Sequence, residues 1–508
     1  MTRWLQLTTL LALIAASFMA CGPAASTGPT TTGAPQPTGG DPLGERPQLA
    51  APKPYQAPTP QVYETNQGIQ VWLLERPNLP MVSMALSVPC GSANDPPASP
   101  GMAHITGSML DEGAGKRGAI AISSAIDDLG ASLRTRVSID GSRVSLTVLQ
   151  KHLDEAFEIF ADVVARPRFD PQEWERVHAL WLNQLRKRAD HPQAVSRVLT
   201  RAVLYGPDTP YGHPTGGQLE VAKAMELLTI QTFYKQHWRP DRALLVVAGA
   251  ITKTKLDRLI ARSWGDWQAP TSAPAAPPQP TPPRHPLPKL VLVDRPEAPQ
   301  AVITVVGPGV AAKDPAAPLL DLLNTALGGS FTSRLNQNLR EDHGWSYGAG
   351  SAFIEARGVG PFLTTSAVFT DVTGQAIAEI HAEIRKLAQS GLTEAEHVKF
   401  RARDLTELIE THETVQSLVG RLTTLGVLGL PAGFDASASR ARQAATPEQL
   451  AALARARFDL DRATTIVVGP RAPLLTQLLA LDLGEPQIWT PAGRPAPTAT
   501  PPDPPPTP

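Results

Sequence analysis

Apolar positions along this chain repeat every second residue in some stretches and every three to four in others. Residues 82–88 and 301–307 are β-branched and apolar enough to predict strands, and ALLVVAG ending at Gly249 and TTIVVG ending at Gly469 predict buried ones. SLRTRVSI and SRVSLTVL flank Asp140-Gly141, a dipeptide favoured in tight hairpin turns because both positions tolerate positive φ. Helical periodicity follows over residues 153–164. A second helix is predicted from Asp170 as N-cap, with Pro171 in the first turn and Glu173 at capping-box spacing. Antiparallel hairpins with segregated helices predict an α+β fold.

The pattern occurs twice. Arg76-Pro77 and Pro80 recur as Arg295-Pro296 and Pro299, and Asp95-Pro96 recurs as Asp314-Pro315, all at an offset of 219 residues. The strands closing at Gly249 and Gly469 stand 220 apart, so an internal duplication accounts for the series better than chance. Each copy is expected to be an antiparallel-rich sheet with helices packed on it. Nine prolines fall within residues 269–288, which predicts an extended, semi-rigid linker. The expected domains are therefore 61–268 and 289–485, with a disordered Pro-rich tail over 486–508.

Composition narrows the function. With 46 Lys plus Arg against 47 Asp plus Glu, the net charge of −1 offers no electrostatic basis for binding nucleic acid. Two cysteines cannot build a disulfide scaffold or a four-thiolate zinc site. Arg3 precedes an apolar run over residues 7–20, too short to span a bilayer and suited to a signal peptide over residues 1–20. Ser17-Phe18-Met19-Ala20-Cys21 then resembles a bacterial lipoprotein cleavage site, which implies lipidation of Cys21. Phe18 departs from the usual aliphatic residue, and an ordinary secretory signal is the alternative. Residues 21–60 lack the apolar groups needed to fold and are expected to be a disordered tether. Cys90 would then have no partner. The expected location is outside the cytoplasm, as a membrane-anchored lipoprotein facing the periplasm, with Gly22 after the cysteine suggesting the outer membrane.

The chemistry-bearing stretch of the first block is Gly101-Met102-Ala103-His104-Ile105-Thr106-Gly107-Ser108. It resembles the zinc helix of the insulinase/pitrilysin metallopeptidase family, whose G-x-A-H-x-x-E-H carries two histidine ligands and a glutamate base on one helical face. Here only His104 matches; Gly107 and Ser108 stand at the glutamate and second-histidine positions. The later glutamate ligand corresponds to Gln184, expected to face inward beside Val177 and Trp181. The expectation is that this chain holds no metal and has no catalytic residue in the motif. Met102, Ile105 and Met109 should keep the helix packed. His213, in the family-like loop Tyr211-Gly212-His213-Pro214, is not expected to be a ligand.

The second block retains a different motif. Gly328-Gly329-Ser330-Phe331-Thr332-Ser333-Arg334-Leu335 leads into Arg340 and, seven residues on, Tyr347. This resembles the family's substrate-binding pair, which holds the peptide and helps stabilise the developing oxyanion. Guanidinium and phenol are both directional donors suited to that task. Bacterial members of the family often pair two similar subunits, one bearing the zinc helix and the other the Arg–Tyr pair. The resemblance thus implies a non-catalytic, substrate-binding subunit of an exported heterodimeric zinc peptidase acting on peptides or unfolded proteins. Zinc would be held by a homologous partner with an intact H-x-x-E-H. The alternatives are an autonomous metalloendopeptidase with a degenerate site, or a structural or assembly protein of the same fold.

Overall fold

The computed structural model describes residues 55–272 and 281–497. The first sheet comprises β1 (Gln61–Glu64), β2 (Gln70–Glu75), β3 (Met81–Val88), β4 (Ser132–Val137), β5 (Ser142–Leu149) and β6 (Leu244–Gly249), in spatial order β1-β2-β6-β3-β5-β4. The second comprises β7 (Leu290–Asp294), β8 (Gln300–Pro308), β9 (Ser346–Phe353), β10 (Pro361–Phe369), β11 (Thr464–Gly469) and β12 (Gln487–Ile488), in order β12-β7-β11-β8-β10-β9. Five strands of each sheet correspond in order, while the sixth differs: β1 is N-terminal and antiparallel to β2, whereas β12 is C-terminal and parallel to β7. Even the parallel pair recurs, β2 with β6 and β7 with β11, inside otherwise antiparallel central ladders. The α+β fold and the duplication are thus both present.

The helices that matter here are α1 (Met102–Ser108), α2 (Leu153–Ala165), α3 (Pro171–Asp190), α4 (Pro192–Tyr205), α5 (Ala317–Leu327), α6 (Thr373–Ser390), α7 (Glu394–Glu413) and α8 (Val415–Leu428). One face of each sheet is covered by its own helices: Met84, Leu146 and Val148 pack with Phe157 and Phe160 of α2, and Ile303 and Val305 pack with Ile377 and Ile380 of α6. The opposite faces are covered by exchange. Val195, Leu199 and Val203 of α4 pack on Val291, Val302 and Val468 of the second sheet. In return, Leu418, Leu422 and Leu425 of α8 pack on Trp72, Leu244 and Val246 of the first. Each buried aliphatic side chain contributes about 1.5–3 kcal/mol, so the exchange binds the halves into one body.

Three local expectations need correction. The β4–β5 connection is not a two-residue turn: Val137 opposes Ser142, leaving four residues, and neither Asp140 nor Gly141 has positive φ. Asp140 is drawn inward instead, where its carboxylate accepts from the Tyr211 hydroxyl at 2.6 Å and the Arg357 backbone N–H at 2.9 Å, bridging the halves. Helix α3 does start at Pro171 after an extended Asp170, but the capping box does not form. Nearby arginines capture its carboxylates, Asp170 by Arg168 at 3.1 Å and Glu173 by Arg176 at 2.8 Å. The tail is folded well past 485: β12 pairs with β7, Trp489 is buried, and the Ala496 N–H donates to the Ile488 carbonyl at 2.8 Å. Ile488 and Trp489 supply the apolar surface that the surrounding prolines conceal.

The signal peptide, Cys21 and the tether up to residue 54 lie outside the described residues, as do residues 273–280 of the linker. The described ends of the linker are pinned. Arg239 donates to the Ser272 and Pro270 carbonyls at 3.0 and 3.3 Å, and the Arg284 N–H donates to Leu204 at 2.7 Å. Tyr55, expected within the tether, rests against His412 with ring centroids 6.3 Å apart.

Candidate functional site

Helix α1 is anchored from below. The Asp95 carboxylate accepts from the N–H groups of Gly101 and Ala103, both at 2.7 Å, which uses the unpaired donors at the helix N-terminus. Burial pushes this carboxyl up to about 7 against those bonds. Met102, Ile105 and Met109 face the core. The motif positions lie elsewhere on the helix, and they do not fit a zinc ion. His104 is half-buried beside Trp181, ring centroids 6.4 Å apart, and burial together with the Arg188 charge lowers its pKa. A cation beside the one remaining imidazole opposes metal binding. A Cβ placed on Gly107 would meet Val137 Cγ2 at 2.7 Å, so β4 occupies the space a glutamate would need. The Ser108 hydroxyl is committed to the His104 carbonyl at 3.0 Å.

Gln184 does not face inward as expected; it is exposed. The buried arc of α3 is narrow, running through Val177, Trp181 and Leu185 at four-residue steps, and Gln184 falls just outside it. Among the described residues, no group of three His, Cys, Asp or Glu side chains could hold a metal ion. His213 is buried, with its pKa pushed down to about 4 by burial and then by Arg201. Cys90 is buried, its thiol pKa raised by burial and then by Asp95, and the Ser142 hydroxyl donates to its carbonyl at 2.5 Å.

Arg340 and Tyr347 are brought together in the second half. Arg340 sits in a wide helical turn, Gln337–Asp342, in which the His343 N–H reaches back five residues to the Asn338 carbonyl at 3.1 Å. Such π-turns recur at functional sites. Gly344, at φ 66°, ends the turn and sends the chain into β9. The Arg340 guanidinium lies 4.7 Å over the Phe331 ring, donates to the Tyr347 carbonyl at 3.3 Å, and pairs with Glu341 at 3.1 Å. Tyr347 is 87% exposed and Arg340 is also exposed, so neither is a packing residue.

Tyr347 is held outward by a bulge. Ser346 opposes Val368 and Ala349 opposes Ser366, so β9 carries one residue more than β10 between those pairs. A bulge re-aims a side chain. Hydroxyls satisfy it: Ser346 Oγ donates to the Gly348 carbonyl at 2.7 Å, and Ser366 Oγ donates to Ser346 Oγ at 2.9 Å. Asn336 ties the motif together, donating to the Phe331 carbonyl at 2.6 Å and accepting from the Ala349 N–H at 3.2 Å. Sequence reasoning missed the supporting roles of Ser346, Ser366 and Asn336. The crowding of small residues in Ser346-Tyr347-Gly348-Ala349-Gly350 was the one available signal of an irregular strand. Arg334, from the same stretch, is structural: it pairs with Glu396 at 2.7 Å.

Residues 70–207 match the family model described as insulinase (peptidase family M16), and residues 225–403 match the model described as peptidase M16 inactive domain. The chain is 29% identical over 334 residues to an uncharacterized zinc protease of Mycobacterium leprae, covering 65% of this chain and 74% of that one. Among solved structures it is similar to a peptidase M16 inactive domain from Pseudomonas fluorescens, at TM-score 0.74 and 23% identity over 81% of this chain and 98% of that chain. It is also similar to the first half of a periplasmic protease from Escherichia coli, at TM-score 0.67 and 15% identity over 83% and 94%.

Proposed function

This chain belongs to the insulinase-like M16 peptidase family, and we propose that within it the protein is a non-catalytic subunit that contacts substrate for a zinc-bearing partner. The observation that carries the reading is the contrast between its halves. The first fills the glutamate position of the zinc helix with Val137, whereas the second holds Arg340 and Tyr347 side by side and exposed. Arg340 would hold a peptide carbonyl through its donor fork, and the Tyr347 hydroxyl would donate to the oxygen that gains charge as the peptide bond is attacked. Activation of water falls to the partner, a homologous chain with an intact H-x-x-E-H. The similarity to half of a periplasmic protease supports an arrangement in which two such units face one another.

Cys21, after its apolar run, supports export and lipid anchoring at the periplasmic face of a membrane, with the outer membrane as the proposed site. The experiment is expression of this chain alone and together with the zinc-motif homologue encoded nearest to it. The expected result is a stable pair that cleaves unfolded peptide, and a lone chain that purifies with well under one zinc and cleaves nothing. Stoichiometric zinc and turnover in the lone chain would establish an autonomous peptidase instead.

A further inference from the structure

We propose that Arg134 and Arg136, on the free edge strand of the first sheet, and Arg143, on the strand beside it, select peptides with acidic side chains at alternate positions. The proposal rests on the substrate-binding reading above and names its substrate class. Arg136 stands directly opposite Arg143 in the β4–β5 register, and Arg134, two residues along the same face, stands opposite Ser145. Directly opposed residues have Cβ atoms about 5 Å apart, and like charges so placed destabilise a sheet. No carboxylate relieves them among the described residues. Arg134 Nε donates to Ser132 Oγ at 3.2 Å, and Arg143 Nη1 approaches the Gly420 carbonyl at 3.5 Å. Burial, and then the charge of Arg136, lower the pKa of Arg143.

The duplicated half serves as an internal control. Ser87 opposes Arg143, and its counterpart Val306, 219 residues on, opposes Leu363. Where Arg143 meets Arg136, Leu363 meets Ala352. The fold therefore requires no charge at this pair, and a cost kept where the fold does not need it points to a ligand.

The surroundings fit an anion. All three arginines line a polar cavity of about 540 Å³ with Ser83, Thr147 and Gln416. Arg136 and Arg143 also border an adjoining cavity of about 470 Å³ between the halves. The acidic groups in these cavities are not paired with them: burial raises the Asp111 pKa with no arginine opposing it, the Asp140 carboxylate accepts from the Tyr211 hydroxyl and the Arg357 N–H, and Glu355 is taken by Arg421 at 2.9 Å. Asp321, on the far wall, is itself raised to about 6, chiefly by burial. β4 pairs with β5 alone, so an extended peptide can add along its outer edge. Residues two apart on such a peptide share a face about 7 Å apart, the spacing of Arg134 and Arg136.

The test is anisotropy of short fluorescein-labelled peptides with the purified full chain, comparing Glu-x-Glu, Gln-x-Gln and Lys-x-Lys in one neutral frame. A Glu-x-Glu peptide should bind about tenfold tighter than its Gln twin. That advantage should collapse near 1 M salt, where the screening length falls to about 3 Å. Arg136→Gln should abolish it, and Arg136→Glu, whose carboxylate would pair with the opposed Arg143, should abolish it as well; Arg136 is exposed and faces a like charge, so both variants should melt no lower than wild type. Equal affinity for the Glu and Gln peptides in wild type would overturn the arginine assignment while leaving the substrate-binding reading in place. Persistence of the preference in folded Arg136→Gln and Arg143→Gln would overturn it equally. Failure to bind any of the three peptides would overturn both readings.

Discussion

Gly107 shows how one residue closes a site. Its hydrogen faces Val137 Cγ2, which a Cβ would meet at 2.7 Å, and a β-branched side chain has little rotamer freedom with which to yield. Gly107→Ala should therefore lower stability by about 1–3 kcal/mol through overpacking, and Val137→Ala in the same chain should recover part of the loss. Calorimetric melting of the two single variants and the double variant measures this; strict additivity would show that the two residues do not compete for space. For the same reason the triple replacement Gly107→Glu, Ser108→His, Gln184→Glu should take up well under one zinc, checked by elemental analysis. That Gly107 and Ser108 stand where the family's glutamate and second histidine would be was legible in the sequence. That Val137 of β4 crowds Gly107 was not, because it depends on how a strand and a helix distant in sequence approach each other.

At the scale of elements, a charged junction ties α7, α8 and the helix Phe434–Ala444 together: Asp435 meets Arg421 of α8 at 2.8 Å and His412 of α7 at 3.5 Å. Burial alone would raise the Asp435 pKa, but hydrogen bonds from His412 and Arg421 outweigh it and bring the value to about 2. The folded value lies below the unfolded 3.8, so between these pH values the unfolded chain binds more protons and stability falls as pH falls. Asp435→Asn should thus be less stable than wild type by about 2 kcal/mol at pH 7, with the gap closing toward pH 2. Denaturant midpoints at several pH values check this, and a pH-independent gap would contradict it. The elements themselves were largely legible, since period-two and period-3.6 patterns follow from which faces are buried. The β9 bulge was not, because a one-residue excess exists only relative to the partner strand. Nor was the fate of Asp140, whose carboxylate is claimed by Tyr211 and Arg357 rather than by its own turn.

At the scale of the molecule, repeated strings at a fixed offset sufficed to find two copies of one fold. They did not say that α4 and α8 would trade places over each other's sheets, because an apolar helix face fits either sheet about equally well in sequence terms. The tail illustrates the same limit, since prolines mark a break in regular structure while two apolar residues between them suffice to dock a strand. The exchanged helices hold both halves in one body, so a site in the second half can be judged by function without being confounded by loss of assembly. The central claim is that Arg340 and Tyr347 contact substrate for a partner's zinc site. It is tested most directly by steady-state peptidase kinetics of the reconstituted pair carrying Tyr347→Phe, beside its melting curve. Because Tyr347 is 87% exposed, removing its hydroxyl should leave the melting temperature unchanged, while loss of one preorganised donor should lower kcat about a hundredfold. Wild-type turnover in a stable Tyr347→Phe complex would contradict the account.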